Sequence, residues 1–185
     1  MARWMYRLGV VLVCAGLVTA LPGCPSRLFS VEGHYDGTWT SEDAEMESCL
    51  LALTLAEINK TVGGVLKFNY ECFVPANVAE ELALPALSVP LLGSIKNDGR
   101  IHLEYSEDAL SSFPGLVDEG ALEDVPFTLT LTLDGVGKDL NDDGLMDEFT
   151  GEFDLYFKVQ TNVGGYDTII EETATGTFVL NRNSE

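Results

Sequence analysis

The run Asp139-Leu140-Asn141-Asp142-Asp143-Gly144-Leu145-Met146-Asp147 places carboxylate or amide oxygens at its first, third, fifth and ninth positions, with glycine at the sixth. A hard cation such as calcium gathers about six to eight oxygens, and it needs a sharp turn to bring them to one point. Alternate donors on a turning loop can converge while the residues between them face away. The spacing therefore points to Ca2+. Without a cation the loop's carboxylates would repel one another. An ordinary polar turn draws on the same residue types. This loop, however, is longer than the roughly two to five residues that a hairpin needs, which an ordered ion explains. The role expected of the ion is a structural clamp, because no neighbouring residue supplies the acid or base that a catalytic metal works with.

The loop resembles the D-x-[DN]-x-D-G-x-x-D calcium loops of thrombospondin type 3 repeats and related bacterial surface repeats. The resemblance implies side-chain oxygens from Asp139, Asn141, Asp143 and Asp147 and a backbone carbonyl from Leu145. It is not an EF-hand, since position twelve is Thr150 and strand pattern flanks the loop. Glu148 could add one more oxygen, although it falls on the outward phase of the next strand.

Other reactive residues are sparse. His34 and His102 are the two histidines, and neither accompanies a G-x-S-x-G elbow, a metal-spaced histidine pair or a Gly-rich phosphate loop. Both read as solvated surface residues. With 30 Asp+Glu, a chance carboxylate pair is easy to imagine, but no pair is singled out. The chain is not expected to be an enzyme, and no catalytic residue is assigned.

Charge and composition narrow the partners. Thirty acids against 10 Lys+Arg give a net charge of −20, with no basic cluster, which excludes nucleic acid. A 46% apolar content excludes an acidic disordered tail. Arg3 and Arg7 precede an acid-free apolar run from Leu8 to Leu21, the layout of a secretory signal. Leu21-Pro22-Gly23-Cys24 resembles the lipobox of bacterial lipoproteins, with Pro22 departing from the usual small residue. The resemblance implies cleavage after residue 23 and lipidation of Cys24, which becomes the new N-terminus. The acyl chains suffice for anchoring. Pro25 in place of Asp favours the outer membrane by enteric sorting rules. Removal of residues 1–23 takes two arginines, so the exported part carries 8 − 30 = −22. Cys14 leaves with the signal, and Cys49 and Cys72 remain as an even pair in an oxidising compartment, which reads as a disulfide.

The elements that must position these groups are strands. Phe127, Leu129, Leu131 and Leu133 alternate with threonines, and Phe149 through Val159 alternate apolar with polar. Similar alternation marks Tyr35-Gly37-Trp39, Cys49 to Leu55, Leu66 to Cys72, Ile101 to Tyr105 and Gly176 to Leu180. One more strand precedes Asn97 and another lies around Thr168 to Ile170. A hairpin centred on Lys60-Thr61 pairs Leu51 with Tyr70, Leu53 with Phe68 and Cys49 with Cys72. Asn97-Asp98-Gly99 reads as a three-residue loop with Gly99 left-handed, pairing Ile95 with Ile101. The expected organisation is a signal peptide over 1–23 forming an N-terminal helix, a lipidated tether over 24–32, one all-β domain over 33–182 and a tail over 183–185. Sequential hairpins without crossover helices predict an antiparallel up-and-down meander barrel of about eight strands; a two-sheet sandwich is the alternative. The breaks in alternation at Ala76–Leu84 and Ser106–Leu122 are expected to be long loops carrying a helical turn or two and sitting as lids at barrel ends.

Gly37-Thr38-Trp39 resembles the G-x-W that begins lipocalin barrels and occurs near the start of avidin-type barrels. The lipocalin resemblance implies that Trp39 closes one barrel end, with Arg182 packed across it. It also implies an interior that binds a small apolar or amphipathic ligand, although no ligand-binding residue can be transferred. Against that, Trp39, Phe68, Tyr70, Phe127, Phe153, Phe157 and Phe178 all face inward and could fill a small barrel. The reading is a lipid-anchored cell-envelope protein with a calcium-stabilised, structural or interaction domain. Its partners are the membrane through Cys24 and an envelope protein or polysaccharide, with a ligand-binding barrel as the alternative.

Overall fold

A computed structural model describes residues 29–42, 48–69, 72, 87–113, 116, 127–163 and 166–183. The expected signal segment, Cys24, Tyr70 and the connection 76–84 lie outside the described residues. Eight strands are present: β1 (Gly33–Ser41), β2 (Cys49–Ile58), β3 (Thr61–Phe68), β4 (Leu87–Ile95), β5 (Arg100–Tyr105), β6 (Phe127–Lys138), β7 (Glu148–Val163) and β8 (Tyr166–Arg182). Each pairs antiparallel with the next, and β8 returns to β1, so the sheet closes into a barrel in simple sequence order. Closure satisfies the hydrogen bonds that the first and last strands would otherwise leave open. The expected meander barrel is thus the observed fold, not the sandwich.

Alternation explains the packing. Inward positions carry Leu, Ile, Val and aromatic residues, and every strand contributes at least one side chain with under 2% exposure, among them Tyr35, Leu53, Leu66, Leu91, Leu103, Leu131, Phe157 and Phe178. Among the described residues the centre of the barrel is therefore lined by buried, closely packed side chains. Gly135 and Gly151 face each other across β6 and β7, where a Cβ on Gly151 would overlap the Asp134 carbonyl. Only glycine permits that approach.

The first hairpin shows a register that differs from expectation by two residues. Leu51 pairs with Phe68 and Leu53 with Leu66, because the turn is Asn59-Lys60, both at positive φ (52° and 72°). That is the two-residue turn whose twist matches the strands. A shift of two preserves which face is inward. Cys49 and Cys72 still form the disulfide, with Cα atoms 5.7 Å apart, although Cys72 lies beyond the end of β3. The second expected hairpin is as drawn: Ile95 pairs with Ile101 and Gly99 has φ 84°. The strand expected around Thr168 to Ile170 is the first part of β8. This forms with β7 a ribbon reaching from Glu148↔Asn181 to Val163↔Tyr166, past the last pairs made with β6 and β1.

Two further expectations are corrected. The described part of Ser106–Leu122 carries the expected helical turn, α1 (Asp108–Ser112), but Phe113 and Leu116 pack with Val65 on the outside of the wall, not over a barrel end. Gly63 makes room for this, since the Phe113 ring occupies the place of its missing side chain. Trp39 lies near the end of β1, stacked on Phe153 at 4.4 Å and tilted against Phe68 at 5.4 Å. Arg182 pairs in register with Tyr35, four residues back along β1, and its guanidinium lies 6.0 Å from the Tyr35 ring centroid. The lipocalin-type closure of Trp by Arg is absent because the two residues sit toward opposite rims.

Candidate functional site

The loop 139–147 joins β6 to β7 at the rim where the described chain enters and leaves the barrel. Its side chains organise its own backbone. Asp139 Oδ2 accepts the Gly144 N–H (2.8 Å), Asn141 Oδ1 that of Asp143 (2.9 Å), Asp143 Oδ1 that of Leu145 (2.8 Å) and Asp147 Oδ2 that of Leu140 (2.7 Å). Asn141 Nδ2 donates to Asp143 Oδ2 (3.2 Å) and Asp147 Oδ1 (3.4 Å). Asp142 and Gly144 take positive φ, 61° and 82°, which turns the chain back on itself. The four side-chain donors named from sequence thus share one compact loop.

They do not form a ready cage. Among the described residues no three His, Cys, Asp or Glu side chains are grouped as a metal site. Glu148 accepts from Lys138 Nζ and belongs to that ion pair. One atom is out of balance: Asp139 Oδ1 is buried without a hydrogen-bond partner among the described residues. A carboxylate oxygen shielded from water and unpaired is costly, and a cation would relieve that cost.

The loop is strapped to the chain entry, which the sequence did not reveal. The Ser30 N–H donates to the Gly144 carbonyl and Met146 N–H donates to the Ser30 carbonyl, both at 2.8 Å, making a parallel bridge. Since Gly144 and Met146 both turn toward Ser30, Leu145 directs its N–H and carbonyl the other way, the side on which Asp143 receives that N–H. Phe29, Val31 and Met146 are buried in the barrel core, so the last part of the segment 24–32 expected as tether belongs to the folded body.

Arg182 ties the same rim together. Its Nη2 donates to the Glu32 carbonyl (2.9 Å), Nη1 to the Met146 carbonyl (3.4 Å), and its backbone N–H to the Asp147 carbonyl (2.7 Å). Tyr35 Oη donates to the Val31 carbonyl at 2.8 Å. Burial pushes the Tyr35 hydroxyl up to about 12, Arg182 pulling it back down in part and Asp147 adding to the rise.

No family model and no curated protein matches the sequence. Among solved structures, that of apo short afifavidin is similar over 78% of this chain and 94% of its own, at 14% identity and a TM-score of 0.35. At that score the likeness carries no argument; the barrel rests on its own strand pairing.

The two histidines separate. His34 Nδ1 meets Thr54 Oγ1 at 3.0 Å on the outer face of β1 and β2. His102 Nδ1 lies 2.8 Å from Asp134 Oδ1 on the opposite stretch of wall, beside a groove of about 330 Å³ that also borders Ser94, Lys96 and Arg100. The carboxylate partner escaped the sequence reading because Asp134 is 32 residues away and only the β5–β6 register brings it alongside.

Proposed function

We propose that this chain is an exported protein, lipid-anchored at Cys24 in a bacterial envelope, whose barrel is a structural or interaction body steadied by calcium in the loop 139–147. The observation that supports the reading is the burial, among the described residues, of large apolar side chains from all eight strands at the centre of the barrel; it favours a function on the surface and loops. The ion would meet Asp139, Asn141, Asp143 and Asp147 through side-chain oxygens and Leu145 through its carbonyl. Calcium would replace hydrogen bonds that these oxygens now receive from the loop's own backbone, and Asp139 Oδ1 would gain the partner it lacks. The ion's charge offsets the repulsion among the loop carboxylates, and it does no chemistry.

The test is native mass spectrometry of the protein purified from its own host in millimolar calcium, then again after EDTA. One calcium lost to EDTA, with no other bound mass, is the expected result. A co-purifying small molecule would establish ligand binding instead. A bare polypeptide mass in calcium would remove the metal site, and an unacylated Cys24 would remove the anchor.

A further inference from the structure

On the outer wall, register alone builds a row of three polar side chains. Ser94 of β4 is the partner of His102 of β5, and His102 is the partner of Asp134 of β6, so all three leave the same face side by side. Asp134 Oδ1 sits 2.8 Å from His102 Nδ1, which holds the ring proton on that nitrogen and leaves the lone pair on Nε2. Among the described residues neither Nε2 nor Ser94 Oγ makes a hydrogen bond, to each other or to a third group, so both are open to a substrate seated between them. The next residue along the row beyond Asp134 is Glu152, a second carboxylate. The groove beside the row has Lys96 and Arg100 at its turn end and Gly135 and Val136 along β6. Arg100 is held by Asp98 through Nε at 2.7 Å. Lys96, two residues after Ser94 on the same face, is the cation left to meet a developing negative charge.

We propose that Ser94, His102 and Asp134 form a hydrolytic site on the outer wall that cleaves neutral esters of small acyl groups. Ser94 Oγ attacks the ester carbonyl carbon as His102 Nε2 takes its proton, giving a tetrahedral oxyanion beside the Lys96 ammonium. The ester C–O bond then breaks, the alkoxide leaves with the proton from His102, and the acyl group stays on Ser94. Water attacks the acyl-serine with His102 again taking a proton, and the carboxylic acid and free Ser94 are released. Ser94 and His102 are catalytic residues; Asp134 is a positioning residue. Neutral substrates are specified because a chain of charge −20 repels acidic ones. This goes beyond the structural reading of the barrel and gives His102 a task in place of simple solvation.

The test treats the purified protein with a fluorophosphonate and separately follows p-nitrophenyl acetate. One label per chain on the peptide containing Ser94, with a burst of one p-nitrophenolate, is expected. Ser94→Ala and His102→Gln should each lower turnover by about 100-fold or more. Asp134→Asn should lower kcat with KM unchanged, and Asp134→Glu should restore part of it. Absence of label on the unsubstituted protein, or label that persists in His102→Gln, overturns the proposal without reliance on any variant's folding.

Discussion

Tyr35 shows how one residue can carry a whole rim. It is fully buried, its hydroxyl caps the Val31 carbonyl, and its ring lies under Arg182. Because its folded-state value is raised to about 12 from 10.0, the neutral form is common to both states below pH 10 and the stability it supports is intact there. Above pH 10 the unfolded chain ionises first, and that stability is lost as pH rises through about 12. Thermal melts between pH 8 and 12 should show a fall in Tm beginning near pH 10, and Tyr35→Phe should flatten it. At neutral pH the same substitution should cost about 1 kcal/mol in urea unfolding, the usual value of one buried hydrogen bond. Asp139 gives a substitution whose effect depends on calcium. Asp139→Asn keeps an oxygen for the Gly144 N–H but replaces the unpaired Oδ1 with a donor. Calcium-free stability should hold or rise, while the gain from 10 mM calcium should disappear. In the unsubstituted protein that gain should be about 1.4–2.7 kcal/mol for a Kd of roughly 0.1–1 mM. Calorimetry with and without EDTA separates the two outcomes.

Among the elements, the β2–β3 hairpin and its disulfide are the most instructive. Reducing Cys49–Cys72, whose residues are 23 apart, should lower stability by about 3 kcal/mol in urea unfolding with and without reductant. The pairing of these cysteines is legible from compartment and number, whereas the strand register that alternation predicts differs from the observed one by two residues. Alternation has a period of two, so it fixes faces and leaves shifts of two undecided; the turn decides, and Asn59-Lys60 is not one of the glycine turns that announce themselves. The Asn97-Asp98-Gly99 turn does contain its glycine, and its register was legible. Similarly, the chemistry of the loop 139–147 could be read from spacing, whereas its attachment to Ser30 could not, because a parallel bridge between residues more than a hundred positions apart leaves no local pattern. The place of Phe113 on the outer wall was hidden for the same reason: the sequence shows an apolar residue but not which side of the sheet receives it.

At the scale of the molecule, charge and closure act together. The chain carries a net charge of −20, and in the described barrel, whose inside is apolar, acidic side chains share outer-wall rows, as Asp134 and Glu152 do. Their mutual repulsion is screened by salt. Raising NaCl from 10 mM to 500 mM should therefore raise Tm, with most of the increase complete once the Debye length falls below about 10 Å. A Tm that is flat or falling with salt would show that paired charges such as Lys158–Glu171 and Lys138–Glu148 dominate. The described chain enters at Phe29 and leaves at Asn183 on one rim, where β1 and β8 lie side by side and the Asn183 N–H reaches the His34 carbonyl. That arrangement has a mechanical consequence. A pull applied between the two ends would separate β1 from β8 one hydrogen bond at a time, like a zipper. A pull between the entry and the far rim would load the same bonds lengthwise and together, so a barrel held from its entry and tugged at its distal loops is gripped in its stronger direction.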